Sequence, residues 1–329
     1  MTEVDPVVSE ILGRINLANK PVDFDAWADA DEGQHVAPAT DYEEAVMNAR
    51  FRPTKEAVGY MCWANTREDV QIRPGELSIW AGKRGSGKSL ITGQVVAGLI
   101  DQGQKAVIAS MEMPIVTTLD RMMGQVLAQA SPTEEYAREF FKWSDGKLFL
   151  YEQDGTVPAK RLLGLARYSA VELGIQNIVI DSLMMVGVDA TGSFQKQEAQ
   201  GQFVRSLATI AKDTGCHIHL VCHMRKSETG GNGRSEADDV AGTAAITDVA
   251  SCVYIISINR KKLEEAKKNA PDQKIMEQPD VRLDVEKNRN GPTGGYFGLW
   301  AHKSLQYVSR GDGKPMKIAR GLKEIFTNV

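Results

Sequence analysis

From residue 74 onward the chain alternates short apolar runs with longer segments of helical period. The runs at 77–81, 105–110, 147–151, 177–181, 217–223 and 251–258 each predict a strand. Their Val, Ile and Leu positions continue without polar alternation, the pattern of parallel strands covered on both faces. Between them, 88–100, a segment from Met113-Pro114 to about Ala130, 159–173 and 194–214 predict helices, with Gly103 and Gly174 as stops. Runs at 281–287, 296–301 and 305–309 predict extra strands, separated by turns at Asn290-Gly291-Pro292 and Arg310-Gly311-Asp312-Gly313. The stretch 261–279 is charged and predicts a solvated helix or loop. No internal repeat is present.

Ahead of residue 74 the pattern is thinner. Val7, Val8, Ile11, Leu12, Ile15 and Leu17 predict a short amphipathic helix ending near Pro21. Residues 23–41 are acidic and poor in large aliphatics, which reads as a linker, and 43–51 predicts another helix. We therefore divide the chain into an acidic arm and linker at 1–72 and an α/β domain at 73–329. The arm is either an N-terminal tail or a segment whose apolar helix docks on a neighbouring subunit, since it has too little chain to bury itself.

Composition narrows the class. At 329 residues and 42% hydrophobic content the chain can bury one large core or two modest ones. It holds no run of 18 apolar residues, so no segment predicts a membrane span, and its start lacks the basic-then-apolar order of a secretion signal. The four cysteines form no Cys-x-x-Cys pair, which fits a reducing cytoplasm. Net charge is −4, yet the first fifty residues carry eleven Asp/Glu against three Lys/Arg, leaving +4 for residues 51–329. A basic body behind an acidic leader is compatible with a polyanion partner without requiring one.

The chemistry concentrates in Gly82-Lys83-Arg84-Gly85-Ser86-Gly87-Lys88-Ser89, a P-loop pattern set between a buried strand and a helix. Gly82, Gly85, Ser86 and Gly87 would wrap a phosphate with backbone N–H groups, helped by the helix dipole. Lys88 would reach the β- and γ-phosphates, and Ser89 would supply an oxygen to Mg²⁺. Asp181 ends an Ile-Val-Ile strand about ninety residues later, the Walker B pattern, and reads as the carboxylate that holds Mg²⁺ through water. Glu112, after the 105–110 strand, either polarises the attacking water or answers a helix dipole. His223 is either a γ-phosphate sensor or an ordinary strand-end histidine. His217 and His219, inside that strand, read as packed or surface residues.

Taken together these residues resemble the RecA-like motor of the DnaB-like replicative helicases, a group that includes the helicase half of phage primase–helicases and Twinkle. The resemblance rests on Arg73-Pro74-Gly75-Glu76-Leu77, Ser110-Met111-Glu112-Met113, Val179-Ile180-Asp181-Ser182-Leu183, Cys222-His223-Met224-Arg225-Lys226 and Lys287-Asn288-Arg289-Asn290-Gly291-Pro292. It implies a RecA-like P-loop NTPase fold with a mostly parallel sheet, using ATP or another NTP or dNTP with Mg²⁺. It implies further that Arg289 is an arginine finger with Lys287 as companion, reaching the nucleotide of the adjacent subunit in a hexameric ring. Arg260 matches the position that stacks on adenine. Arg225, Lys226 and Arg234 fall in a loop facing the channel that holds single-stranded DNA, where basic groups on a Gly-rich backbone suit phosphate tracking; the other reading of this stretch is an ordinary surface loop.

One departure stands out: where the family shows Asp-Leu-Arg-Gly/Glu-Ser-Gly, this chain has Asp239-Val240-Ala241-Gly242-Thr243 and lacks the arginine. Residues 1–75 also hold no zinc-type cysteine module and no room for a primase. The expected activity is ATP-driven translocation on single-stranded DNA, 5′ to 3′ in similar helicases, with unwinding of a forked duplex. A primase, polymerase or loader is the expected partner. A RecA-type recombinase filament and a regulatory or loader ATPase are the other readings.

Overall fold

The structure, a computed structural model, describes residues 23, 38–44, 46–47, 58–153, 155–188, 192–224 and 244–319. The helix expected at 7–17, most of the linker and of the helix at 43–51, and Arg225, Lys226, Arg234 and the 239–243 departure lie outside the described residues.

Strands β1 (Gly59–Tyr60) and β2 (Gln71–Ile72) pair antiparallel ahead of β3 (Leu77–Gly82). Then come β4 (Ala106–Ser110), β5 (Leu148–Tyr151), β6 (Val157–Pro158), β7 (Asn177–Asp181), β8 (Val186–Gly187), β9 (His217–His223), β10 (Cys252–Ile258), β11 (Val281–Asn288), β12 (Tyr296–Ala301) and β13 (Tyr307–Val308). The α-helices of the body are α1 (Lys88–Asp101), α2 (Ile115–Leu127), α3 (Glu134–Ser144), α4 (Ala159–Val171), α5 (Ser193–Thr214), α6 (Ala244–Val249), α7 (Arg260–Glu265) and α8 (Gln273–Met276). Among the described residues nine strands make one sheet in the order β13-β12-β11-β10-β3-β9-β7-β4-β5. From β10 to β5 all pairings are parallel, and β11 to β13 add an antiparallel edge.

The order fixes where a ligand can sit. The chain leaves β3 for β4 and β5, returns through β7 and β9, then crosses to β10 on the other side of β3. Such a reversal opens a crevice at the carboxyl ends of the strands. β3, β4 and β7 are buried at every position, as strands covered on both faces must be. Leu77, Ile79 and Ala81 of β3 face a core shared with α4 and α5, and Trp80 faces the opposite core with Ile91, Val95 and Leu99 of α1.

Residues 58–72, grouped on sequence with the arm, belong to this second core. Met61 and Trp63 are fully buried in it, and Gly98 of α1 passes so close that a Cβ there would stand 2.9 Å from Cys62 Cβ. All four cysteines are free and only Cys62 reaches the surface in part. The C-terminal residues close over α1: Gln94 Nε2 donates to Tyr307 O at 2.8 Å while Tyr307 N donates back to Gln94 Oε1 at 2.7 Å. Gln125 Nε2 of α2 donates to Leu90 O and Leu305 O, each at 2.9 Å. This strap ties the P-loop helix to the last strand.

At the amino ends of the strands lies a buried polar row. His219 Nδ1 accepts from Trp80 Nε1 at 3.2 Å, so its Nε2 carries the proton and donates to Asn177 Oδ1 at 3.3 Å. His217 Nδ1 donates to Arg73 O at 2.7 Å, leaving Nε2 to accept from Ser78 Oγ at 2.6 Å. Burial holds the His217 imidazole down to about 4 and His219 well below its ordinary value.

Three expectations need correction. The helix after Pro114 stops at Leu127, with Ala128 in a left-handed conformation, and a separate α3 follows, capped by the Thr133 side chain accepting from Tyr136 N. The stretch 261–279 folds as α7 and α8, and it is not wholly solvated: Lys262 is buried, bonded to Asp280 Oδ1 at 2.9 Å and Gln278 O at 2.6 Å. The last strand starts at Tyr307 rather than 305, because Leu305 adopts φ 64° in the preceding turn.

Candidate functional site

The loop between β3 and α1 is shaped by its glycines. A Cβ at Gly82 would lie 2.4 Å from Ser86 Oγ and 2.7 Å from Ile256 O, so only glycine lets the loop fold back on β10. Gly87 enters α1 with φ 85°, a left-handed turn that aims the first N–H groups of the helix into the loop. Ser86 Oγ is buried inside the loop without a partner. An orphaned hydroxyl in a cradle of N–H groups fits a phosphate, whose oxygens would satisfy it. Lys88 Nζ lies back over the loop, donating to Gly82 O at 3.0 Å and Lys83 O at 3.2 Å. Burial lowers its pKa, against the opposing pull of Asp181 and Glu112.

Asp181 at the end of β7 and Ser110 at the end of β4 stand side by side in register. The Asp181 carboxyl is buried, which raises its pKa, and Ser89 donates a hydrogen bond to it that works the other way. Ser89 and Asp181 thus present adjacent oxygens below the P-loop, the hard donors that suit Mg²⁺. Glu112 lies beside them at a more exposed position. Its Oε1 accepts from His223 Nε2 at 3.1 Å and from Ser182 Oγ. Those two hydrogen bonds, His223 first, hold the Glu112 carboxyl down at about 2 despite partial burial. Ser182 is a residue that the sequence reading left without a role. Its only signal is its place after Asp181, where the β7 strand turns toward Glu112.

The remaining predicted residues divide between the two ends of the sheet. Arg260 opens α7 four residues past Ile256, which pairs with Gly82, so it lies at the P-loop end. β11 runs the opposite way and carries Lys287 and Arg289 to the far end: Lys287 pairs with Val253, Asn288 with Cys252, and Arg289 N donates to Ser251 O at 3.0 Å. Cys252 in turn pairs with Ser78, four residues before Gly82, which is about 13 Å along the strand at 3.3 Å per residue. Lys287 Nζ donates to Thr247 O and Asp248 O, each at 2.8 Å, and Arg289 Nη2 to Asp248 O at 2.5 Å. Neither cation approaches the P-loop of its own chain. Burial and the Arg289 charge lower the Lys287 pKa.

Residues 70–309 match the family described as the DnaB-like helicase C terminal domain. The chain is 24% identical over 230 residues to the DNA helicase/primase of Enterobacteria phage T3, covering 63% of this chain and 40% of that protein. It is 22% identical over 218 residues to the Twinkle homolog protein, chloroplastic/mitochondrial, of Arabidopsis thaliana, covering 62% of this chain and 30% of that one. It thus spans well under half the length of both relatives. A solved DnaB-like replicative helicase, studied with its interactions with primase, superposes with TM-score 0.64 at 12% identity, over 92% of this chain and 74% of that one. At that identity the likeness speaks to the fold alone, and the fold is the α/β RecA-like one that the resemblance implied.

Proposed function

The chain belongs to the DnaB-like helicase C-terminal domain family, and on that premise we propose that it is an ATP-dependent DNA helicase that works as a ring of identical subunits, hexameric by family resemblance, translocating 5′ to 3′ on single-stranded DNA. The observation that carries this reading is the separation of the chemistry. Lys88, Ser89, Glu112 and Asp181 gather at one end of the sheet, and Arg289 lies at the other. An exposed guanidinium that cannot reach its own P-loop can serve a neighbour's by exchanging the Asp248 carbonyl for a phosphate, and a head-to-tail contact that closes makes a ring.

Within each shared site the P-loop amides and Lys88 hold the triphosphate. Ser89 and Asp181 would hold Mg²⁺, whose charge would offset that of the phosphates. Glu112 stays ionised and orients the attacking water, because His223 and Ser182 fix its carboxylate. Arg289 from the next subunit stabilises the charge spreading over the transferred phosphoryl group, with Lys287 beside it. Arg260 stacks on the base. Arg225, Lys226 and Arg234 contact the phosphates of the single strand, and a primase, polymerase or loader engages the ring from outside.

The test is a forked duplex with ATP and Mg²⁺. The intact protein should separate the strands and hydrolyse ATP faster when single-stranded DNA is added. Lys88→Ala should lose nucleotide binding, and Arg289→Ala should keep binding but lose about 10³-fold or more in turnover. ATP hydrolysis indifferent to DNA, with no strand separation, would sink the reading. Electron microscopy adds a second readout, since long filaments on DNA in place of closed rings would favour a recombinase.

A further inference from the structure

The loop that carries Arg289 is mounted on the segment that leads into the P-loop strand. Asn290 Nδ2 donates to Glu76 Oε1 at 2.5 Å, and Arg73 Nη2 donates to Asn290 O at 2.7 Å. On the other side of the arginine, Asn288 Nδ2 donates to Asp69 O at 3.0 Å. The approach is close: a Cβ at Gly291 would stand 2.5 Å from Asn288 Nδ2 and 3.1 Å from Asp69 O. Glu76 is buried one residue before β3, and its second oxygen faces the Cys252 thiol at 3.9 Å. A buried carboxylate needs its hydrogen bonds, and losing one is costly. The residues flanking Arg289 are therefore both pinned to 69–76, and the exposed arginine rests its guanidinium on the Asp248 carbonyl.

We propose that Asn290 and Glu76 are positioning residues for the Arg289 finger, fixing to the segment that leads into the subunit's own β3 the loop whose guanidinium serves its neighbour's nucleotide. The proposal rests on the shared-site reading above. A misplacement of about 1 Å in a catalytic group can lower turnover about 10²-fold, so the mount matters although neither residue touches nucleotide.

Asn290→Ala removes, at an exposed position, a donor that buried Glu76 accepts from, so its urea midpoint is measured beside its turnover to separate folding from positioning. It should lower kcat about 10²-fold while nucleotide KM stays within about twofold, the signature of an interaction made in the transition state. Glu76→Gln, which keeps an oxygen to accept from Asn290, should retain most of the turnover. The deciding experiment mixes Asn290→Ala with Lys88→Ala. The first supplies working P-loops and the second supplies intact fingers, so the mixture should hydrolyse ATP well above the sum of the two preparations. A mixture that only sums, while Arg289→Ala with Lys88→Ala recovers, overturns the positioning role and makes Asn290 a support for its own site. If the Arg289→Ala mixture itself fails to recover, the shared-site reading falls, and the proposal with it.

Discussion

At Glu112 the neighbours decide what a side chain can do. A carboxylate that accepts from His223 and Ser182 and is held at about 2 remains a base throughout the ordinary working range of pH. Glu112→Gln should keep nucleotide binding and lower turnover by about 10²- to 10⁴-fold, the usual worth of a positioned general base; unchanged hydrolysis in a single-turnover assay would remove Glu112 from the chemistry. The buried histidines carry a second prediction. Both are neutral when folded, and unfolding lets them bind protons once the pH falls below about 6.5. Stability should therefore fall as pH drops from 6.5 toward 4, by up to about 1.4 kcal/mol per pH unit for each histidine. Urea midpoints taken from pH 7.5 to 4.5 measure it, and a flat profile would contradict it. The sequence placed Glu112, Asp181 and His223 at strand ends, and the topology brings them together because those strands are adjacent or nearly so. Ser182 carries no assignable role on sequence, since a serine after an aspartate has no period or spacing of its own.

Among the elements, α1 depends most on distant sequence. Gln94 is buried and serves both backbone groups of Tyr307. Gln94→Leu would leave the Tyr307 N–H unpaired, at a cost of about 1–3 kcal/mol. A lower denaturant midpoint with an unchanged m-value would register it. Nothing in a glutamine within an apolar helix announces this bond, because its partner lies in another element. The strands were legible because buried parallel strands have a composition of their own. The α3 helix was there to be read, in Thr133 before Glu134 and Glu135 and in Tyr136, Phe140 and Trp143 on one face. The boundary at 73 leaves out the 58–72 segment, whose Met61 and Trp63 sit in no regular period and are buried in a core built from α1 and one face of the sheet.

For the whole molecule, the proposed service of Arg289 to a neighbouring P-loop would make hydrolysis a property of the assembly. Specific ATPase activity should rise with protein concentration across the assembly range, and a constant value down to the monomer would refute a shared site. Affinity for single-stranded DNA should weaken with salt, and Arg225→Ala or Lys226→Ala should each reduce the log–log slope by about 0.7; an unchanged slope would move the DNA contact elsewhere. The strap over α1 has a consequence for how the protein is made. Tyr307 follows Gln94 by 213 residues, which a ribosome adds in about 10–40 s at ordinary rates. Throughout that interval the nascent chain holds a complete nucleotide loop on a helix whose last supports are still unwritten. A chain released early would lack β10, the Arg289 loop or the strap, so an unfinished copy should turn over little ATP and be recognised by quality control as unfolded.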